Sequence, residues 1–199
     1  HQVLAVTFTN KAAAELRSRV SQLLPNQKQS ALWTGTFHSI CHKMLRIHAS
    51  TIGLDPNFQV IDTDDQLRII KKIHRILTLD EQQWPPKKSA AYINQMKEQG
   101  LRSEKCYSDQ NIFLKTQSEI YQSYEAHCNQ NNLVDFTELM LKTCEMLKEH
   151  EAIRWQYQVQ FKHILVDEFQ DTNKLQYQLL GLLRHEQQRI VAVGDDDQS

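Results

Sequence analysis

Four short segments of the chain are apolar at consecutive rather than alternate positions: Val3–Thr7 (VLAVT), Ala31–Phe37 (ALWTGTF), His163–Val166 (HILV) and Ile190–Val193 (IVAV). Continuous apolar runs of this length fit strands covered on both faces, as in a parallel sheet. Each run ends in small, polar or acidic residues: Thr9-Asn10, His38-Ser39, Asp167-Glu168 and Gly194-Asp195. Ligands of open α/β sheets bind beyond the carboxyl ends of the strands, so these four ends are where chemistry is expected. After the first run, Thr9-Asn10 can cap a helix from Lys11 to about Leu24, with Ala13, Leu16 and Val20 on one face. Pro25-Asn26 then breaks it. Strand–helix–strand units fit residues 1–37 and 163–193.

Between these units the apolar spacing becomes helical. Ile40, Met44 and Ile47 mark a helix over residues 39–50. Leu67, Ile70, Ile73 and Leu77 mark another over 64–77, with Asp62, Asp64 and Asp65 at its positively polarised start. Trp84-Pro85-Pro86 marks a turn, and further helices are expected over 87–99, 111–130 and 135–148. The expected architecture is an α/β core with a parallel sheet, its first part at 1–56 and its second at 133–199. An all-helical insertion occupies 57–132, with an end that the pattern leaves open as far as about residue 160.

Composition narrows the class. Of the 199 residues, 40% are hydrophobic and 24% charged, with a formal net charge of −1, which suits a folded chain with a core and not a disordered one. A mean hydropathy of −0.57, with no long apolar run, excludes a membrane-spanning helix. Cys41, Cys106, Cys128 and Cys144 form no C-x-x-C pair and have no His partner at zinc spacing, so reduced thiols in a cytoplasmic protein are expected. The first residues carry no export signal and no initiating Met, and the chain opens directly on a strand-like run. The near-zero charge conceals a division: +4 over residues 1–60 and −3 over 151–199. A basic part can face a polyanion and an acidic part can hold a metal ion, although ordinary surface charge reads the same way.

The motifs sharpen this. In HILV-Asp167-Glu168-Phe169-Gln170-Asp171, an apolar strand delivers two adjacent carboxylates. A rigid strand end of this kind can place one carboxylate near a Mg²⁺ ion and let the next deprotonate an attacking water. In IVAV-Gly194-Asp195-Asp196-Asp197-Gln198-Ser199, three consecutive acids call for nearby cations or donors, and Gln198 can reach a γ-phosphate oxygen or the lytic water. Thr7-Phe8-Thr9-Asn10-Lys11 and Gly35-Thr36-Phe37-His38-Ser39 each set hydroxyls, a ring and a basic or amide group at a strand end. Hydroxyls and helix-start amides hold phosphates, and rings stack on unpaired bases. Taken singly, a residue such as Phe37 is more often core and one such as His38 more often a structural histidine.

Together these segments resemble the UvrD/Rep/PcrA group of superfamily 1 DNA helicases. VTFTNKAAAEL is similar to motif Ia, GTFHS to motif Ib, VDEFQDTN to the Walker B motif II and VGDDDQS to the start of motif III, in the family's order. Leu79–Pro86, Tyr92-Ile93-Asn94, Gly100-Leu101-Arg102 and Leu133–Phe136 are most similar to the UvrD branch. The resemblance implies a partial RecA-like P-loop NTPase core interrupted by a 1B-type helical subdomain. It implies an ATP-dependent helicase of DNA repair that moves 3′→5′ along single-stranded DNA and separates the duplex ahead, with ATP and Mg²⁺ as cofactors. By the same match Asp167 takes the Mg²⁺, Glu168 activates water and Gln198 contacts the γ-phosphate. Thr7, Phe8, Thr9, Asn10 and Lys11, with Thr36, Phe37, His38 and Ser39, lie along the single-stranded DNA path. Lys71, Lys72, Lys87, Lys88 and Arg102 of the insertion become candidate phosphate contacts near the duplex junction, and DNA-repair proteins the expected partners.

One departure sets the expectation for the piece itself. No G-x-x-x-x-G-K-[ST] loop occurs in the 199 residues, and the sequence stops inside motif III. An internal fragment of a longer protein, catalytically inactive alone, is therefore expected. Two alternatives stay open: a non-catalytic DNA- or partner-binding module, and the motor part of a RecB-type helicase–nuclease.

Overall fold

The computed structural model describes residues 2–23, 32–106 and 111–194. They form two compact units, His48–Leu141 and the residues on either side of it. The unit therefore begins before, and ends after, the 57–132 expected for the insertion.

The flanking residues build a four-stranded, all-parallel sheet. Its strands are β1 (Val3–Thr7), β2 (Trp33–Thr36), β5 (His163–Val166) and β6 (Arg189–Ala192), in the order β2-β1-β5-β6. β1 and β5 match the expected runs residue for residue; Ala31 of the second run lies outside the described residues. β2 stops one residue early because α2 (Phe37–His48) begins there, its N-terminal turn held by Thr36. α2 buries Phe37, Ile40, Cys41, Met44 and Leu45, the i, i+3/i+4 stripe of a helix packed on a core. α1 (Asn10–Leu23) follows β1, and α7 (Glu151–Gln160) and α8 (Lys174–Leu183) flank β5. Trp33 anchors this core, with Tyr157 and Phe161 edge-on to it at centroid distances of 5.7 and 5.4 Å.

β6 departs from its expected burial. It is paired to β5 in parallel, yet all four of its residues are exposed, Val191 to 50%. Among the described residues it is the edge of the sheet, with its side chains exposed on both faces.

The His48–Leu141 unit contains α3 (Thr63–Ile76), α4 (Pro86–Glu98) and α5 (Ile112–Gln130), packed around Ile70, Ile73, Ile93, Ile120, Tyr121 and Tyr124. The expectation of an all-helical insertion needs a correction here. β3 (Gln59–Ile61) and β4 (Leu133–Asp135) pair in parallel, Val60 opposite Val134, on either side of these helices in the sequence. α6 (Phe136–Glu149) follows β4 directly, and the division between the units falls within it.

A buried ionic cluster fixes the end of β4. Lys97 is only 2% exposed, and its Nζ lies 2.6 Å from Asp135 Oδ2 and 2.8 Å from Glu138 Oε2. Tyr124 donates to Asp135 at 2.7 Å, and Asp135 Oδ1 caps α6 by accepting from Glu138 N at 2.7 Å. Burial alone would lower the Lys97 pKa; Glu138 and Asp135 overcome it and hold the ammonium above its ordinary value. Arg102, an expected phosphate contact, belongs to the same cluster. Its Nη1 lies 2.9 Å from Glu125 and 2.7 Å from Glu138, so its charge is already neutralised by carboxylates within the unit.

Candidate functional site at the carboxyl ends of the strands

Parallel register brings the expected residues to one edge. Thr7 is opposite Thr36, Val6 opposite Val166, and Val166 opposite Ala192. The ladder continues past the last paired residues: Asp167 N donates to Val6 O at 3.1 Å and Val193 N to Val166 O at 2.8 Å. Motif residues from three of the sequence's four segments therefore emerge side by side, and Val193-Gly194 begins the fourth. Gln198 lies outside the described residues.

Asp167 and Glu168 are both exposed. Glu168 N donates to Asp167 Oδ1 at 3.1 Å, which orients the Asp167 carboxylate and leaves Oδ2 for a cation. Glu168 itself adopts φ 51°, ψ 45°, a left-handed conformation that costs a non-glycine residue on the order of 1 kcal/mol. That turn ends the strand abruptly and carries the chain into a short 3₁₀ turn, Phe169–Asp171. The turn is held by Thr172 Oγ1 donating to Phe169 O at 2.8 Å, and Asn173 then opens α8 with a capping box to Gln176. A hard, oriented carboxylate oxygen suits Mg²⁺. Among the described residues no group of three or more His, Cys, Asp or Glu gathers to hold a metal ion.

The two hydroxyl-bearing segments use one device twice. Thr9 caps α1, its Oγ1 accepting from Ala12 N at 3.1 Å, while Thr7 Oγ1 donates to Thr9 O at 3.2 Å. Thr36 caps α2, its Oγ1 accepting from Ser39 N at 3.3 Å, while Ser39 Oγ donates to Thr36 O at 2.9 Å. Each cap satisfies one early amide of α1 or α2, and the other amides of those first turns, which have no carbonyl within the helix to donate to, start at the same sheet edge. Gly35 is needed for the second junction, because a Cβ there would collide with Ser39 Oγ.

Burial divides the nine residues expected along a DNA path. Phe8 and His38 are half-buried, and Thr9, Asn10, Lys11 and Ser39 are exposed. Thr7, Thr36 and Phe37 are 2%, 8% and 2% exposed, so their side chains do not reach the surface. Phe37 instead supports Phe8, the rings meeting edge to face at 5.4 Å. Burial lowers the His38 pKa and favours its neutral imidazole. The left-handed turn at Glu168 has no signature in the sequence, since it falls on a residue other than glycine.

Comparison with known proteins adds an independent line. The family model described as UvrD/REP helicase N-terminal domain matches residues 1–199. The chain is 44% identical over 199 residues to DNA helicase II of Escherichia coli K12, covering 100% of the chain and 28% of that protein. It is 44% identical over 200 residues to DNA helicase II of Haemophilus influenzae, at 99% and 28% coverage. With ATP-dependent DNA helicase PcrA of Leuconostoc citreum the identity is 36% over 199 residues, at 100% and 27% coverage. The chain thus spans little more than a quarter of the length of these curated relatives.

Proposed function

The chain belongs to the UvrD/REP helicase N-terminal domain family, and from that premise we propose that it is the segment of a longer ATP-dependent DNA helicase that holds the hydrolytic carboxylates and part of the DNA track. The whole protein translocates 3′→5′ on single-stranded DNA and unwinds duplex in DNA repair, in the cytoplasm and alongside repair proteins. The unit with the four-stranded sheet is its motor core, and the His48–Leu141 unit is the 1B-type insertion.

The observation that carries this reading is the exposed Asp167-Glu168 pair at the carboxyl end of a parallel strand, with Glu168 held in a left-handed turn. Asp167, its carboxylate oriented by Glu168 N, would hold the Mg²⁺ of a Mg²⁺–ATP complex. The chemistry such an ion would supply there is neutralisation of charge on the phosphate oxygens. Glu168 accepts a proton from the attacking water, and Gln198 contacts the γ-phosphate. Phe8, Thr9, Asn10, Lys11, His38 and Ser39 meet single-stranded DNA, phosphates toward the helix-start amides and Lys11, a base against Phe8. Thr7, Thr36 and Phe37 hold those residues in place.

The test is Glu168→Gln in the full-length protein. ATP and single-stranded DNA should still bind, while DNA-stimulated hydrolysis falls by about 10²–10⁴. Near-normal turnover in this variant would remove Glu168 from the role assigned to it.

A further inference from the structure

The loop that follows β5 meets the chain that leaves β6. Phe169 N donates to Val193 O at 2.9 Å, immediately after Val193 N has donated to Val166 O at 2.8 Å. One residue further along each segment, a side chain takes over from the backbone. The face of Gly194 on which a Cβ would sit is occupied by Gln170. A Cβ built there lies 2.6 Å from Gln170 Oε1, 3.7 Å from Gln170 Cδ and 3.6 Å from Gln170 N. No side chain fits at 194 without displacing the Gln170 amide. Glu168 makes the approach possible, because its left-handed turn sends Phe169 and Gln170 back toward the β6 exit.

Gln170 is half-buried, and its amide reaches the first residue of the segment that the motif reading assigns to the γ-phosphate. Resting on the helicase reading above, we propose that Gln170 is a positioning residue: seated against Gly194, it couples the loop bearing Asp167 and Glu168 to the start of the segment bearing Gln198. A shift on the carboxylate side then moves the phosphate side with it, which is what DNA-stimulated hydrolysis needs from two loops that act on one nucleotide. Gly194 is required for the same reason, as the residue whose missing side chain leaves Gln170 its seat.

The experiment uses the full-length protein and steady-state ATPase assays with and without single-stranded DNA. It compares wild type, Gln170→Ala, Gly194→Ala, the double variant and Glu168→Gln. Gln170→Ala should lower the ratio of DNA-stimulated to basal kcat by roughly ten- to hundredfold, the scale of a small misplacement of reacting groups. KM for ATP should stay within about twofold of wild type, since ground-state contacts to the nucleotide are untouched. Gly194→Ala keeps the Gln170 amide but takes its seat, and should reproduce that loss. The double variant should fall no further than either single change, because both remove one contact.

The proposal is overturned if Gln170→Ala keeps the DNA-stimulated ratio of wild type. Equal losses of basal and stimulated rates also overturn it, since they place Gln170 in the hydrolytic step itself. So does a rise in KM at unchanged kcat, or losses that multiply in the double variant. Glu168→Gln separates this failure from failure of the underlying reading. If Glu168→Gln is inactive while Gln170→Ala behaves as wild type, only the coupling fails; if Glu168→Gln turns over normally, the carboxylate assignment fails and the coupling with it.

Discussion

Replacing Lys97 by methionine removes the ammonium that two buried carboxylates share. Lys97, Asp135 and Glu138 are 2%, 4% and 5% exposed, so water does not take over the lost contacts. Asp135 keeps Tyr124 Oη at 2.7 Å and the Glu138 amide at 2.7 Å, and Glu138 keeps Arg102 at 2.7 Å. What disappears is one positive charge 2.6 and 2.8 Å from two negative ones. Breaking a buried pair from one side costs about 3–5 kcal/mol. The two carboxylates here retain those other partners, which argues for the lower part of that range.

The stability concerned is that of the His48–Leu141 unit, so a single global transition is the wrong readout. Amide hydrogen exchange at Ile93 and Val134, both fully buried, reports opening of that unit directly. Protection there should fall by about two to three orders of magnitude, at 1.36 kcal/mol per tenfold. The pH dependence has a definite sign. The folded-state pKa of Lys97 is raised, so its contribution is complete below the ordinary lysine value of about 10.4 and is lost as pH rises through the higher folded value. At pH 7 it is fully present. Adding Asp135→Asn and Glu138→Gln to Lys97→Met should recover protection, because the uncompensated charges are then gone. A triple variant no better protected than Lys97→Met would refute the charge argument and leave only a packing defect.

Two further predictions test, in the full-length protein, the edge proposed to face DNA. Lys11→Ala should weaken single-stranded DNA binding and reduce the slope of log K against log salt by about 0.7, the loss of one phosphate contact; fluorescence anisotropy across a salt series measures it, and an unchanged slope takes Lys11 off the track. Gly35→Ala should drive Ser39 Oγ from its bond to Thr36 O, destabilising the start of α2 by about 1–3 kcal/mol and lowering DNA affinity with it. Exchange protection in the first turn of α2 equal to wild type would show that the junction absorbs the extra methyl.

The parallel strands were legible because their signal is local: VLAVT and HILV are apolar throughout and stop at polar residues, and both folded as read. β3 and β4 were not, since three residues each are too few to establish a period, and each is defined by the other some seventy residues away. Arg102 shows the same limit for charge. Its partners Glu125 and Glu138 are 23 and 36 positions distant, so a basic residue that looks available in one dimension is already neutralised in three.

Phe37 is a different case, since the sequence held the answer. Phe37, Ile40, Cys41, Met44 and Leu45 form a helical stripe that places the ring in the core, and the strand-end pattern outweighed it. The two patterns are compatible once the strand end is seen as a joint. Every strand–helix junction in this edge must satisfy the first amides of its helix, and Thr9 and Thr36 spend their hydroxyls on that. Motif residues therefore serve two ends: some build the joint, and others are left exposed by it. Thr36 and Phe37 build the joint, Lys11 is left exposed, and Thr9 and Ser39 do both, with their hydroxyls already engaged. Glu168 belongs with the exposed group, and its left-handed backbone turns the chain out of the strand into the Phe169–Asp171 turn, where Phe169 N reaches Val193 O.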